Sequence, residues 1–279
     1  MNRVCRWVLL LFVVALILAG TVAASPEVSD SPSSLLGPDD DLHEAIQKAS
    51  PGATIHLGKG DWHLSHRIFL GKPLSLVGMG MGKTRIVSTA HGSYLTISGA
   101  GGHNIEGISF SNPLKEWPTV GIEIDSLASI RQCEISDAVV ERGSGGIGIK
   151  ISGSSVVTVS ECVCRDNQSI GISVQGNAEA VLIGNTIEGN NGEGISYGDE
   201  SSGKVDNNQC TKNLGCGISA QGKVSLDLSG NICKLNDGSA AILGQPRFFT
   251  SGTVLMHLAS RDPFSQMDFK GLRSYKALS

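Results

Sequence analysis

Apolar and polar residues alternate in short runs along most of the chain, as in "GISVQG" (171–176), "AVLIGN" (180–185) and "TIEGN" (186–190), with Gly and Asn between the runs. Runs of this length are too short for helices, and a period of two marks strands with one buried face. The pattern also repeats as a whole. Gly-Ile pairs fall at Gly148-Ile149, Gly171-Ile172, Gly194-Ile195 and Gly217-Ile218, each 23 residues from the last. Asn167, Asn190, Asn213 and Asn236 keep that step, as do Asn185, Asn208 and Asn231. Three columns in one register define a repeat, and three strands closing in 23 residues make one turn of a coil. Stacked turns predict an all-β fold, a parallel β-helix in which every strand pairs with its equivalents above and below. Ile149, Ile172, Ile195 and Ile218 then form one inward ladder, and Ile151, Val174, Tyr197 and Ala220 a second. The asparagines fit the corners, where each amide bonds the Asn one coil away.

The two ends break this texture. Arg3 and Arg6, the apolar run Val8 to Ala19 and the small residues Val22-Ala23-Ala24 predict a signal peptide over 1–24, with an uncleaved membrane anchor as the alternative. Residues 25–38, rich in Ser and Pro, predict a flexible lead-in. In "DDDLHEAIQKASPG", Asp39 to Asp41 offer N-caps and Leu42, Ala45, Ile46 and Ala49 keep helical spacing, so a short capping helix is expected over the open first coil. The β-helix is expected over 39–245, with its regular coils at 148–242. An irregular cap or tail follows over 246–279, where the register is lost. Cleavage leaves 255 of the 279 residues, and removing Arg3 and Arg6 leaves 20 basic against 26 acidic residues. No basic tract appears, so neither nucleic acid nor a lipid surface is an expected partner, apart from the anchor alternative. The expected location is secreted, periplasmic or at the cell surface.

The segment "LHEAIQKASPGATIHLGKGDWHLSHRIFLGKPLSLVGMGMGKTRI" resembles the N-terminal part of the pectin-lyase-like superfamily of right-handed parallel β-helix proteins. The 23-residue units resemble the Asn- and Gly-marked repeats of carbohydrate-binding and sugar-hydrolase domains. They are also similar to repeats in periplasmic accessory proteins of nitrous-oxide reductase maturation and in some F-box proteins. The resemblance covers roughly residues 40–245 and implies the fold and a glycan partner; this scaffold hosts many chemistries, so it implies no single activity.

Candidate chemistry divides into motifs that fail and a constellation that survives. The run ending in Gly82-Lys83-Thr84 imitates a phosphate loop, but Val77 stands where the first glycine is needed, and a strand-like "TRIVS" follows where a helix is required. No nucleotide is expected; the Lys-Thr pair is expected at a solvent-exposed corner. Six cysteines remain after cleavage: Cys133, Cys162, Cys164, Cys210, Cys216 and Cys233. Cys164, Ile187, Cys210 and Cys233 share one column, so these thiols are expected as small buried hydrophobes, with bridges between Cys133 and Cys162 or Cys210 and Cys233 as the alternative. His56, His63 and His66, with Met79 and Met81 near in sequence, have the ligand types of a copper site, but solvated histidines on turns are the expected outcome. Asn167-Gln168-Ser169 is a glycosylation sequon whose Asn belongs to the repeat ladder.

The surviving constellation lies where coils exceed 23 residues. Nine positions separate Asn112 from Gly121 against four from Asn167 to Gly171, and eleven separate Asp137 from Gly148 against five from Asp166 to Gly171. Both insertions precede the same Gly-Ile strand on neighbouring coils, so they are expected to project from one corner and bring together Lys115, Glu116, Trp117, Glu141 and Arg142. Loops on a rigid scaffold are where function collects. Beside them the outward strand positions are Glu123 and Asp125, then Lys150 and Ser152, Ser173 and Gln175, Ser196, and Ser219 and Gln221. Trp117, Glu141, Arg142, Ser173, Gln175 and Ser196 are the candidate substrate-binding residues. Glu123, Asp125 and Lys150 are the catalytic candidates, with Lys150 as a proton acceptor. No cofactor is expected, with Ca²⁺ on Glu123 and Asp125 as the alternative. The chain departs from enzymes of the superfamily: it has no closely spaced aspartates like those of polygalacturonase-type hydrolases. Nor has it an Asp-Pro-His-Asp segment like that of alginate epimerases, or an Asp cluster with a paired Arg like that of pectate lyases. The expectation is therefore a carbohydrate-binding or accessory module using its outward strand face. The alternatives are a lyase, epimerase or hydrolase acting on uronate-rich polymers, and a structural surface protein.

Overall fold

Each coil begins with a Gly-Ile pair because its backbone runs close against the next. In the computed structural model a Cβ on Gly171 would lie 2.7 Å from the Gly194 carbonyl and 2.4 Å from Ile187, so only glycine lets the coils stack at this spacing. The structure describes residues 35–115, 119–141, 143–238, 242–244, 247–250, 255–257 and 266–268. Glu116, Trp117 and Arg142, the predicted leader and the side chains of Glu141, Ser144 and residues 239 onward lie outside the described residues.

Three strands per coil give three faces. On face A, Ile149–Ile151, Ile172–Val174 and Ile195–Tyr197 pair in parallel, so Ile149, Ile172, Ile195 and Ile218 stack in register as expected. Face B stacks Val156–Ser160, Glu179–Ile183, Ser202–Asp206 and Ser225–Ser229. The long strands Gly92–Glu106 and Thr119–Arg131 each contribute to both faces, joining A and B into one 16-stranded sheet. Face C is a ten-stranded sheet, parallel except at its last pair. The strands enclose one continuous core of Ile, Leu, Val and Cys side chains. The fold is a parallel β-helix.

The asparagine ladders form as the repeat predicts. Asn167 Nδ2 donates to Asn190 Oδ1 at 2.9 Å, Asn190 to Asn213 at 2.9 Å and Asn213 to Asn236 at 2.9 Å. Each amide also bonds a strand carbonyl, such as Asn190 Nδ2 to Cys164 O at 3.1 Å. These buried amides thus replace the backbone bonds that a turn would forfeit. Asn167 is fully buried, so its sequon amide is occupied. The second ladder runs from Asn185 through Asn208 to Asn231 and extends further than the sequence reading placed it. Cys162 N donates to Asn185 Oδ1 at 2.9 Å, and Cys133 N to Cys162 Sγ at 3.5 Å, so two thiols continue the amide row. The remaining corners need left-handed backbone. Asp137, Asp166, Gly189, Lys212 and Leu235 form one such column, with φ of 61°, 56°, 64°, 55° and 55°.

Helix α1 (Leu42–Lys48) closes the first coil with Leu42 and Ile46 buried, and Asp41 caps it by accepting from Glu44 N at 2.9 Å. The strand pairing passes both expected borders. Leu35–Leu36, inside the stretch expected as a flexible lead-in, pairs with His56–Leu57. Past residue 245, where irregular structure is expected, Arg247–Thr250 and Leu255–His257 still pair in parallel with the preceding coil. In the glycine-rich run, Leu74 and Leu76 are buried as expected. Thr84 is a correction: it is not solvent-exposed but fully buried, its hydroxyl donating to Gly58 O at 2.9 Å and accepting from Met79 N at 2.9 Å. Alternation sets which way a side chain faces, while this hydroxyl goes inward to satisfy the corner it turns.

Candidate functional site

The outward face of A carries a column running the length of the stack. Phe69, Thr96, Glu123, Lys150, Ser173, Ser196 and Ser219 occupy equivalent positions on successive coils. A second column beside it starts at Ser98 and Asp125 and continues at Ser152 and Gln175, the next outward positions along from Lys150 and Ser173. Equivalent groups on neighbouring strands stand about 4.8 Å apart. Ser219 Oγ donates to Ser196 Oγ at 3.1 Å, so hydroxyls also link along the column.

The catalytic candidates meet, but as partners of one another. Lys150 Nζ donates to Glu123 Oε1 at 2.8 Å, with the side chains 31% and 34% exposed. A pair this open contributes less than about 1 kcal/mol to stability. Its effect on the site is to neutralise both groups across two coils. Asp125 is exposed beside Gly153, where a Cβ would lie 2.2 Å from its Oδ1. Glu123 and Asp125 both face outward, yet Glu123 is engaged by Lys150. Among the described residues, no three His, Cys, Asp or Glu side chains group as a metal would require. That holds also for His56, His63 and His66; His66 bonds Ser65 Oγ and stands edge-on to His43.

The two insertions are joined. Lys115 Nζ lies 3.0 Å from Asp137 Oδ1, and Thr119 N donates to Val139 O at 2.9 Å. Gly146 N closes the other side onto Thr119 O at 2.7 Å, while Val140–Glu141 and Ser144–Gly145 form an antiparallel hairpin. Trp117 and Arg142 lie outside the described residues, and Glu141 is placed by its backbone alone.

Among the polar candidates, Gln175 is exposed and Ser196 half-buried. Ser173 is a correction. It faces outward but is only 1% exposed, between Lys150 and Ser196, and its hydroxyl has no partner. A side chain this short is covered by its longer neighbours, which alternation cannot register.

Among the described residues Cys133, Cys162, Cys164, Cys210 and Cys233 are free and buried, and Cys216 is buried. Burial pushes the Cys133 and Cys164 thiols well up. Cys210 is raised chiefly by its hydrogen bond to Cys233, which in turn holds Cys233 below the usual thiol range.

Phe69 is the residue that sequence reasoning missed. It is 51% exposed at the head of the first column. The signal was present: Ile68-Phe69-Leu70 alternates in, out, in, which places the Phe69 ring on the outward face.

A family model described as "Right handed beta helix region" matches residues 88–252, more than half of the chain. No curated protein matches the chain by sequence. Solved structures similar to it include the catalytic domain of a GH87 α-1,3-glucanase, at 13% identity and TM-score 0.52 over 88% of this chain and 50% of that one. The bacteriophage Phi29 gene product 12 N-terminal fragment is 14% identical at TM-score 0.57, over 74% of this chain and 40% of that one. Pectate lyase Pel9A is 11% identical at TM-score 0.50, over 74% and 78%. The chain thus spans half or less of the first two. At these identities the likeness is one of fold.

Proposed function

The chain belongs to the right-handed β-helix family, and from that premise we propose that it is an exported module that binds a polysaccharide along the outward columns of face A. The observation that carries the reading is a line of polar groups in register over successive coils, the neutralised Glu123–Lys150 pair followed, past the covered Ser173, by the hydroxyls of Ser196 and Ser219. A ligand that bonds equivalent positions on neighbouring coils must itself present polar groups about every 4.8 Å, a spacing close to one sugar unit of an extended glycan. The neutral Glu123–Lys150 pair suits hydroxyl-rich partners, because each charged group retains lone pairs or protons for further bonds. Two structural neighbours bear names that denote polysaccharide-acting enzymes, an α-1,3-glucanase and a pectate lyase, which supports a glycan as ligand. Export rests on the leader read over residues 1–24.

A glycan array with the mature chain tests the reading, followed by titration of any hit against Gln175→Ala. Loss of one neutral hydrogen bond costs about 1 kcal/mol, roughly fivefold in affinity. Absence of binding to every glycan at millimolar concentration sinks the proposal. Release of unsaturated products or new reducing ends, abolished in Lys150→Ala, moves the same site into the enzyme class.

A further inference from the structure

Between α1 and the head of the first column is an open hollow of about 380 Å³, lined by His43, Ile46, Gln47, Phe69, Gly71 and Lys72. Its central feature is the Phe69 ring. A Cβ on Gly71 would lie 2.7 Å from Phe69 Cε1, so the absence of a side chain there lets the ring lie down over the backbone. The ring is half exposed in that position. An aromatic ring laid along a surface offers a flat apolar platform, the surface that the C–H face of a pyranose covers.

The lining carries one formal positive charge, Lys72, and no carboxylate. Lys72 Nζ donates to the backbone carbonyl of Gln47 at 2.9 Å, a neutral partner at the end of α1. His43 Nε2 lies 3.2 Å from Arg67 O. Among the described residues no carboxylate pairs with Lys72, while Glu44, the acid of α1, is taken by Lys48 at 2.6 Å. Further along the same column the charge of Lys150 is cancelled by Glu123, and beyond it the column is uncharged. One end of the proposed groove therefore attracts an anion and the rest does not.

We propose that this hollow is a terminal subsite for an acidic sugar, which stacks on Phe69 and directs its carboxylate to Lys72. The assignment rests on the glycan reading and sharpens it: the bound chain would carry its negative charge at the α1 end. The hollow is continuous with the column, because Phe69 pairs in register with Thr96 and Thr96 with Glu123.

The test uses the full mature chain and two hexamer probes, an otherwise neutral hexasaccharide ending in one galacturonate and the same hexamer methyl-esterified at that sugar, titrated by calorimetry. The wild-type chain is expected to bind the acid about tenfold more tightly than the ester. Lys72→Gln should remove that preference without weakening the ester, Phe69→Ala should weaken both probes about tenfold, and Phe69→Trp should restore affinity. Circular dichroism checks that each variant folds, as substitution of two surface side chains should allow. Wild-type affinity in Phe69→Ala, with loss in Gln175→Ala, overturns the subsite and leaves the groove standing. Equal affinity for acid and ester in the wild type, or no binding of either hexamer, also overturns it; no binding to any arrayed glycan removes the groove as well.

Discussion

The coils from Gly148 to Gly238 and those from Gly92 to Gly148 have the same three faces but satisfy their polar groups differently. In the first region equivalent residues are 23 apart, and asparagine bonds asparagine across every coil. In the second the step widens to 27 at Glu123–Lys150 and 29 at Cys133–Cys162, and sulfur stands in for the amide. Buried polar atoms there lose their partners: both ring nitrogens of His103 and the Asn112 amide nitrogen are unpaired. The regular coils do not escape entirely, since Asp227 Oδ1 and the Ser173 hydroxyl are also unpaired. The difference lies in what a repeat makes possible. An amide ladder needs identical geometry on consecutive coils, and an insertion that brings a loop to the surface removes it.

The sharpest way to break this contrast is to cut a ladder in mid-row. Asn190 accepts from Asn167 N and Nδ2 and donates to Cys164 O and Asn213 Oδ1. Asn190→Ala strands several buried groups and should cost roughly 3 kcal/mol or more in denaturant unfolding. Asn112→Ala, which gives up a single 3.2 Å bond from Lys115 N, should cost about 1 kcal/mol. Equal losses at the two positions would show that the ladders add nothing beyond ordinary burial.

The left-handed corner column offers a gentler test. Leu235 is held at φ 55° with its side chain 63% exposed, and Lys212 at the same angle. Leu235→Gly should stabilise by about 1 kcal/mol by relieving the left-handed strain. Asp137→Gly should not, because it gives up the Lys115 contact at a position that Asp tolerates. Thermal melts of both variants decide the matter.

The smallest expected effect is a pH dependence in the irregular region. His103 is held below the usual imidazole range by burial, so the folded chain favours its neutral form. Its contribution is complete above the unfolded value of about 6.5 and is lost as pH falls below it. The melting temperature of the wild type should therefore drop between pH 7 and pH 5 more than that of His103→Leu. Parallel curves would assign the acid sensitivity elsewhere.

The repeat made the regular coils, the asparagine rows and the direction of almost every core residue legible, because a fixed step turns one strand assignment into four. Depth was less legible. Ser173 and Thr84 sit on outward or corner positions by alternation, yet coverage by neighbours and a carbonyl in need of a donor bury them. Cys133 and Cys162 escaped recognition as ladder members because the 29-residue step hides the first of them. Phe69 was legible as an outward residue but not as part of a site, because the hollow it occupies depends on Gly71 and on where α1 docks. The joined insertions at Lys115 and Asp137 were legible as neighbours, but their hairpin pairing was not.

The asparagine rows carry one more consequence. The bonds from one Asn side chain to the next all run the same way, from the N-terminal coil to the C-terminal one, while the second amide hydrogen goes back to a strand carbonyl of the preceding coil. Aligned hydrogen bonds polarise one another. The two rows therefore behave as directional chains, in which an amide at the middle is worth more than one at the end.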